Sequence, residues 1–202
     1  MFKARGLYAI TNGPRGDLEQ AVEAALKGGA SVVQYRDKTL DAGRRHVEAA
    51  NLADLCMRHG VPLFINDDVG LALACGATGV HLGVGDASVA TARSRLGSKA
   101  IIGVSCYDSL DRARRAVDEG ADYIAFGAFH PSPTKPQARV ADQRLLGAAR
   151  SLGIPLVAIG GITPDNAPSL IAAGADCTAV ISSLFDADDI EAVARRFSLL
   201  FS

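Results

Sequence analysis

Eight short apolar runs, none longer than seven residues, recur along the chain and are separated by amphipathic stretches. They are GLYAIT (6–11), SVVQYR (31–36), PLFIND (62–67), GVHLG (79–83), AIIGVSC (100–106), YIAFGAF (123–129), PLVAIGG (155–161) and CTAVIS (177–182). Each is rich in Val, Ile, Leu or Ala and ends in turn-forming residues, the pattern of strands buried on both faces of a parallel sheet. The stretches between them have helical spacing. DLEQAVEAALKGG predicts a helix with Asp17 as N-cap and a Gly pair as its stop. SLDRARRAVDEG places Leu110, Ala113 and Val117 on one face, and PDNAPSLIAAG puts Pro164 at a helix start. The dipeptide Gly-Ala closes a helix at Gly29, Gly76, Gly120 and Gly174, at spacings of 47, 44 and 54 residues. Each interval holds one strand–helix–strand–helix unit, so Gly-Ala precedes every second strand. Gly supplies the left-handed cap, and the small Ala lets the chain turn tightly into the sheet.

Eight strands, each followed by a helix, predict an α/β chain folded as a (β/α)8 TIM barrel, one domain over residues 1–202. A doubly wound open sheet is the alternative, but it usually carries a Gly-rich loop after its first strand, and TNGPRGD holds no GxGxxG. Apolar residues make up 49% of the chain, enough for a large core. A formal charge of −1 argues against a nucleic-acid or polybasic membrane surface. No apolar run approaches the ~18 residues of a spanning helix, and MFKARGLYAI is too short for a secretory signal, so a soluble cytoplasmic protein is expected. Cys56, Cys75, Cys106 and Cys177 form no CxxC and read as reduced packing thiols, and the four His residues lack metal-ligand spacing.

Barrel active sites lie at the C-terminal ends of the strands. Those ends carry Gln34-Tyr35-Arg36-Asp37-Lys38, Asn66-Asp67-Asp68, Gly83-Val84-Gly85-Asp86, Ser105, the loop FHPSPTKP with Ser132, Pro133, Thr134 and Lys135, Gly160-Gly161, and Ile181-Ser182-Ser183. QYRDK also reads as a solvated loop, Asp86 as the cap of DASVATARSRL, and the Ser-Pro-Thr-Lys loop as a rigid turn. The glycine and VIS ends say more. Glycines let backbone N–H groups approach an anion, and a phosphate site after strands seven and eight recurs in barrels. Asp67 and Asp86 end adjacent strands, so their carboxylates can converge on one hard divalent ion, and magnesium suits few carboxylates plus phosphate oxygens. Asn66 can donate an amide proton to a substrate, while Asp68 reads as a helix cap. Lys38, Arg36 and Lys135 add charge for a polyanion larger than one phosphate. His81 reads as packing inside the barrel and hydrogen-bonding a neighbour.

Taken jointly, QYRDK, IND, GVHLG…D, GVS, DYIAFG…PTKP, AIGGIT…N and AVIS resemble the family of thiamine-phosphate synthases and TenI-type thiazole tautomerases, over nearly the whole chain. The resemblance implies a transferase of thiamine biosynthesis. It would join hydroxymethylpyrimidine diphosphate to thiazole phosphate (carboxylated in the bacterial pathway), releasing pyrophosphate by a dissociative, Mg2+-assisted route. By motif position, Gln34, Tyr35, Arg36, Asp37, Lys38, Asn66, Ser105 and Lys135 would bind the pyrimidine diphosphate, with Lys38, Lys135 and Ser105 catalytic. Ser132, Pro133, Thr134, Gly161, Ile181 and Ser182 would bind the thiazole phosphate, and Asp67 and Asp86 the Mg2+. Partners are then small molecules only, with a homo-oligomer allowed. The chain departs from the family at Val84, usually Gln, which removes an amide contact beside a metal carboxylate. Gly85 is often acidic in the family, His130 replaces a usual Phe, and Ser132 a usual Thr. A TenI-like tautomerase, or a non-catalytic barrel that binds thiamine precursors, is the competing reading. Neither has an evident use for Asn66, Asp67, Asp86, Lys38 and Lys135 together.

Overall fold

The computed structural model describes residues 5–131 and 140–202. Eight parallel strands close into a barrel in sequence order: β1 (Gly6–Ile10), β2 (Ala30–Tyr35), β3 (Leu63–Asn66), β4 (Gly79–Leu82), β5 (Ile101–Tyr107), β6 (Tyr123–Phe126), β7 (Leu156–Ile159) and β8 (Cys177–Val180), with β8 paired back onto β1. The helices α1 (Leu18–Lys27), α2 (Ala42–His59), α3 (Val69–Ala74), α4 (Val89–Leu96), α5 (Leu110–Asp118), α6 (Arg144–Ala149), α7 (Ala167–Ala172), α8 (Ser182–Phe185) and α9 (Ile190–Ser198) lie between and after the strands. Each expected run contains a strand, except that β2 begins one residue earlier, at Ala30, and β5 ends one residue later, at Tyr107. The Gly-Ala glycines have the positive φ that a left-handed cap requires: 97°, 65°, 91° and 117° at Gly29, Gly76, Gly120 and Gly174.

Alternation along each strand sorts the side chains into two layers. Leu7 and Ala9, Val33 and Tyr35, Leu63 and Ile65, Val80 and Leu82 face outward and pack against the helices. Tyr8, Ile10, Val32, Phe64, Tyr123, Ala125, Val157, Cys177 and Ala179 fill the barrel interior. Rings from β1, β3, β4 and β6 meet in this interior. Phe64 stacks on Tyr123 with centroids 5.5 Å apart, His81 stacks on the same ring at 5.6 Å, and Tyr8 meets both Phe64 and Tyr123 edge-on at 6.1 Å. Such bulk fits because β5 has no side chain at Gly103, paired with Tyr123 across the sheet.

Local details differ from the sequence reading in four places. Asp17 sits at the N-cap of α1, but its carboxylate is taken by Arg15 (2.7 Å) and makes no cap hydrogen bond. In the seventh unit Pro168, not Pro164, lies in the first turn of α7, and Pro164 belongs to a preceding turn that feeds the helix through Ala167 N–H to Thr163 C=O (3.0 Å). On α5 the buried residues are Ala113 and Ala116, with Leu110 and Val117 half-buried, because small residues let the helix lie close on the sheet. Asp68 does cap α3, accepting from Leu71 N–H at 2.9 Å, whereas α4 is capped by Ser88 rather than by Asp86.

All four cysteines are unpaired thiols. Burial pushes Cys56, Cys106 and Cys177 up to about 12, so the reactive thiolate is scarce at neutral pH. With iodoacetamide at about pH 8, the native protein is expected to be alkylated first at the half-buried Cys75, and at the other three only after unfolding. Mass spectrometry of the labelled peptides reads the order, and early labelling of Cys177 would contradict it.

Candidate active site

The C-terminal end of the barrel gathers the polar residues of β2 to β5 on one side. Inward parity carries Gln34 on β2, Asn66 on β3, His81 on β4 and Ser105 on β5 toward the same interior. Tyr35 and Asp37 have the opposite parity. The Tyr35 hydroxyl donates to Glu48 on α2 at 2.6 Å, and the buried Asp37 carboxylate pairs with Arg44 at 2.8 Å and accepts from Thr39 N–H at 2.7 Å. Although both were expected beside the pyrimidine diphosphate, they brace the loop after β2 from behind. Arg36 has its backbone clasped to Thr11, whose hydroxyl accepts from Arg36 N–H at 2.8 Å and donates to Arg36 C=O at 3.1 Å. The stretch is thus an anchored platform, not a solvated loop.

Asp67 follows β3 with φ 64°, a left-handed conformation uncommon outside Gly but tolerated by Asp. That backbone, held by Asp67 N–H on His81 C=O at 2.8 Å, turns the carboxylate along the rim toward β4. There the Asp67 and Asp86 carboxyls come within hydrogen-bonding reach of each other. Lys38 pairs with Asp67 Oδ2, to which Asn66 Nδ2 also donates at 2.7 Å. Asp86 accepts from Gly83 N–H at 2.7 Å, which closes the tight turn carrying the exposed Val84. Burial pulls both carboxyls upward. At Asp67, Lys38 and the Asp86 carboxyl overcome burial and hold it below the usual carboxylate range. At Asp86, burial and the neighbouring Asp67 charge together push it above. Among the described residues no group of three or more His, Cys, Asp or Glu comes together as a metal cluster. The donor set here is two adjacent hard carboxylates at an open rim, with Lys38 paired to Asp67. Two carboxylates with further oxygens from water and substrate suit Mg2+, so the residues fit that ion.

Gln34 and Ser105 are joined through the interior. Gln34 Nε2 donates to the Tyr8 hydroxyl (2.7 Å), which meets the Tyr123 hydroxyl (2.8 Å), which meets His81 Nδ1 (2.9 Å), and His81 Nε2 meets Ser105 Oγ (2.9 Å). The packing and hydrogen bonding of His81 match the sequence reading. Tyr8 and Tyr123 were read only as strand residues, although they share the inward parity of Gln34 and Ser105.

Across the barrel mouth, the loops after β7 and β8 line a cavity of about 370 Å³ that includes Gly160, Gly161, Ile181, Ser182 and Ser183. Asn166 holds the glycine loop by donating to Gly161 C=O at 3.0 Å and accepting from Thr163 N–H at 2.9 Å, and Ser183 ties the two loops by donating to Ile162 C=O at 2.6 Å. Gly161 has φ 59°, and a Cβ there would lie 2.3 Å from Pro131 O, so the loop closes only around glycine. His130 packs over this glycine, its N–H on Gly160 C=O at 3.0 Å. Ser132, Pro133, Thr134 and Lys135 lie outside the described residues.

The closed parallel barrel and its polar rim define a (β/α)8-barrel enzyme. The sequence model of a family described as thiamine monophosphate synthase matches residues 7–184. A thiamine-phosphate synthase of Halorhodospira halophila is 56% identical over 95% of this chain and 91% of its own, and one of Thiobacillus denitrificans is 54% identical over 98% and 95%. Among solved structures, a thiamine phosphate pyrophosphorylase from Pyrococcus furiosus superposes with a TM-score of 0.89 at 33% identity, covering 98% of this chain and 96% of that one. The chain belongs to the thiamine monophosphate synthase family and is a transferase.

Proposed function

We propose that this enzyme transfers the hydroxymethylpyrimidine group from its diphosphate to the ring nitrogen of a thiazole phosphate, giving thiamine monophosphate and pyrophosphate. The pyrimidine methylene–oxygen bond breaks first, its electron pair leaving with pyrophosphate, and the thiazole nitrogen lone pair then forms the new carbon–nitrogen bond. The observation that carries this reading is the Asp67–Asp86 pair beside Lys38, facing the glycine-lined cavity across one mouth. A proton-moving tautomerase has no need of such a pair, and a passive binder would keep it without use.

Asp67 and Asp86 would hold Mg2+, which when bound supplies positive charge against the diphosphate. The chain's own contribution is positioning and fixed electrostatics. Lys38 and Arg36 project from the anchored platform to hold diphosphate oxygens, and Lys38 exchanges its carboxylate partner for phosphate. Lys135 belongs to the same set by motif. Gln34, Asn66 and Ser105 orient the pyrimidine. Gly161, Ile181 and Ser182, with Ser132, Pro133 and Thr134 by motif, seat the thiazole phosphate and aim its nitrogen. Holding two reactants in line replaces a bimolecular encounter, and preaimed cations need no reorganisation as charge grows on the leaving group. Among the described residues no helix is long and apolar enough to cross a membrane, and a cytoplasmic enzyme of small-molecule substrates is the setting this reading implies.

Incubation of the purified protein with both substrates and Mg2+ is expected to yield thiamine phosphate and pyrophosphate in equal amounts. Thiazole isomerisation without pyrophosphate would establish the tautomerase instead. Binding without any turnover would establish a carrier.

A further inference from the structure

We propose that Tyr8, Tyr123 and His81 form a buried positioning relay that dictates which hydrogen-bonding face Gln34 and Ser105 turn toward the pyrimidine. The inference rests on the proposed reaction, because it takes the pyrimidine as the ligand between those two residues. Gln34 on β2 and Ser105 on β5 stand three strands apart, and the four hydrogen bonds from 2.7 to 2.9 Å are a continuous link between them. The interior members are shielded from bulk water: Tyr8 is 1% exposed, Tyr123 0% and His81 9%.

A phenol has one proton to donate, and a neutral imidazole has one donor and one acceptor nitrogen. With both buried phenol protons spent within the chain, it has two self-consistent directions. In one, Gln34 Nε2 donates to Tyr8, Tyr8 to Tyr123, Tyr123 to His81 Nδ1, and His81 Nε2–H to Ser105 Oγ. In the other every donor and acceptor is exchanged, the imidazole carries its proton on Nδ1, and the Gln34 amide is turned over. Gln34 Nε2 on the Tyr8 oxygen selects the first. Its consequence appears at the two ends. Gln34 Oε1 is left as an acceptor, and the Ser105 hydroxyl, already accepting from His81, is left to donate. An aminopyrimidine matches that pair, since its exocyclic amine donates and its ring nitrogens accept. Burial raises both phenols above their usual range, so each keeps the proton the chain requires. Hydrogen bonds linked in series polarise one another, so the ends are coupled though they do not touch.

The test cuts the chain at its centre. Tyr123→Phe retains the ring stacked between Phe64 and His81 and removes one oxygen. The KM for the pyrimidine diphosphate is expected to rise about tenfold, the order of one hydrogen bond's net worth. The KM for the thiazole phosphate is expected to stay unchanged. Nitrogen-15 NMR of the wild-type imidazoles, with His81 assigned by its absence in a His81→Asn variant, is expected to show His81 protonated on Nε2 alone. In Tyr123→Phe both tautomers are expected. If Tyr123→Phe does not fold, Tyr8→Phe cuts the same chain one link earlier, and the wild-type spectrum needs no variant. A His81 protonated on Nδ1 or on both nitrogens would overturn the relay, as would equal changes in the two KM values or none in either. If wild-type protein makes no thiamine phosphate, the proposed reaction falls instead, and the tautomer still reports on the chain.

Discussion

Replacing Asp67 by Ala is expected to reduce turnover about a thousandfold or more while the protein still folds. The loss follows from the charge balance at the rim. A departing diphosphate must have its growing charge neutralised, and removing even one preaimed electrostatic group from such a site typically loses about 10²–10³ in rate. Asp67 also orients two neighbours, Lys38 and Asn66, so the substitution frees both. Loss of the ion pair itself should change stability little. The Lys38 side chain is 57% exposed, and pairs of that kind are worth little in water. Alanine at φ 64° does add backbone strain, of about 1–2 kcal/mol. Asp67→Asn separates the two effects, because Asn tolerates the left-handed region and is nearly isosteric but carries no charge. Both variants should lose turnover alike, and only the alanine variant should melt lower. Near-normal turnover of either in saturating Mg2+ would remove Asp67 from the metal site.

The strands were legible because burial on both faces leaves unbroken apolar runs, and glycine caps mark their entry points. The rim was legible because strand ends in a barrel converge, so Asp67 and Asp86 could be paired from order alone. What the sequence concealed was parity. QYRDK reads as one polar stretch, yet alternation sends Tyr35 and Asp37 to α2 while Gln34 faces the barrel. The same rule, applied to β1 and β6, would have aligned Tyr8 and Tyr123 with His81 and Ser105. Parity is set by the register of the closing strands, and the irregular β5–β6 pairing between Ser105 and Tyr107 shows how it shifts within one strand. Helix starts were concealed for a different reason. Asp17 and Pro164 both satisfy the local rules, and the competing partner Arg15 and the second proline, Pro168, decide the outcome.

Gly103→Ala is expected to damage the packing of the barrel interior severely. A Cβ at that position would lie 1.9 Å from Cζ of Tyr123 and 2.3 Å from its hydroxyl oxygen. The ring cannot retreat, because Phe64 stacks at 5.5 Å and His81 at 5.6 Å. Overpacking a filled core typically destabilises by about 1–3 kcal/mol, and the upper end applies where no neighbour can yield. For a chain of this length that corresponds to a fall in Tm of about 6–12 °C, readable by calorimetry. Adding Tyr123→Leu to Gly103→Ala removes the far half of the ring, so part of the lost stability should return. The pyrimidine KM should not recover, because the hydroxyl between Tyr8 and His81 is gone. Stability and recognition would thus separate at one position, the ring's bulk governing the first and its oxygen the second. A Gly103→Ala protein that melts with the wild type would mean that Tyr123 does not lie over β5, and the interior chain would lose its central link.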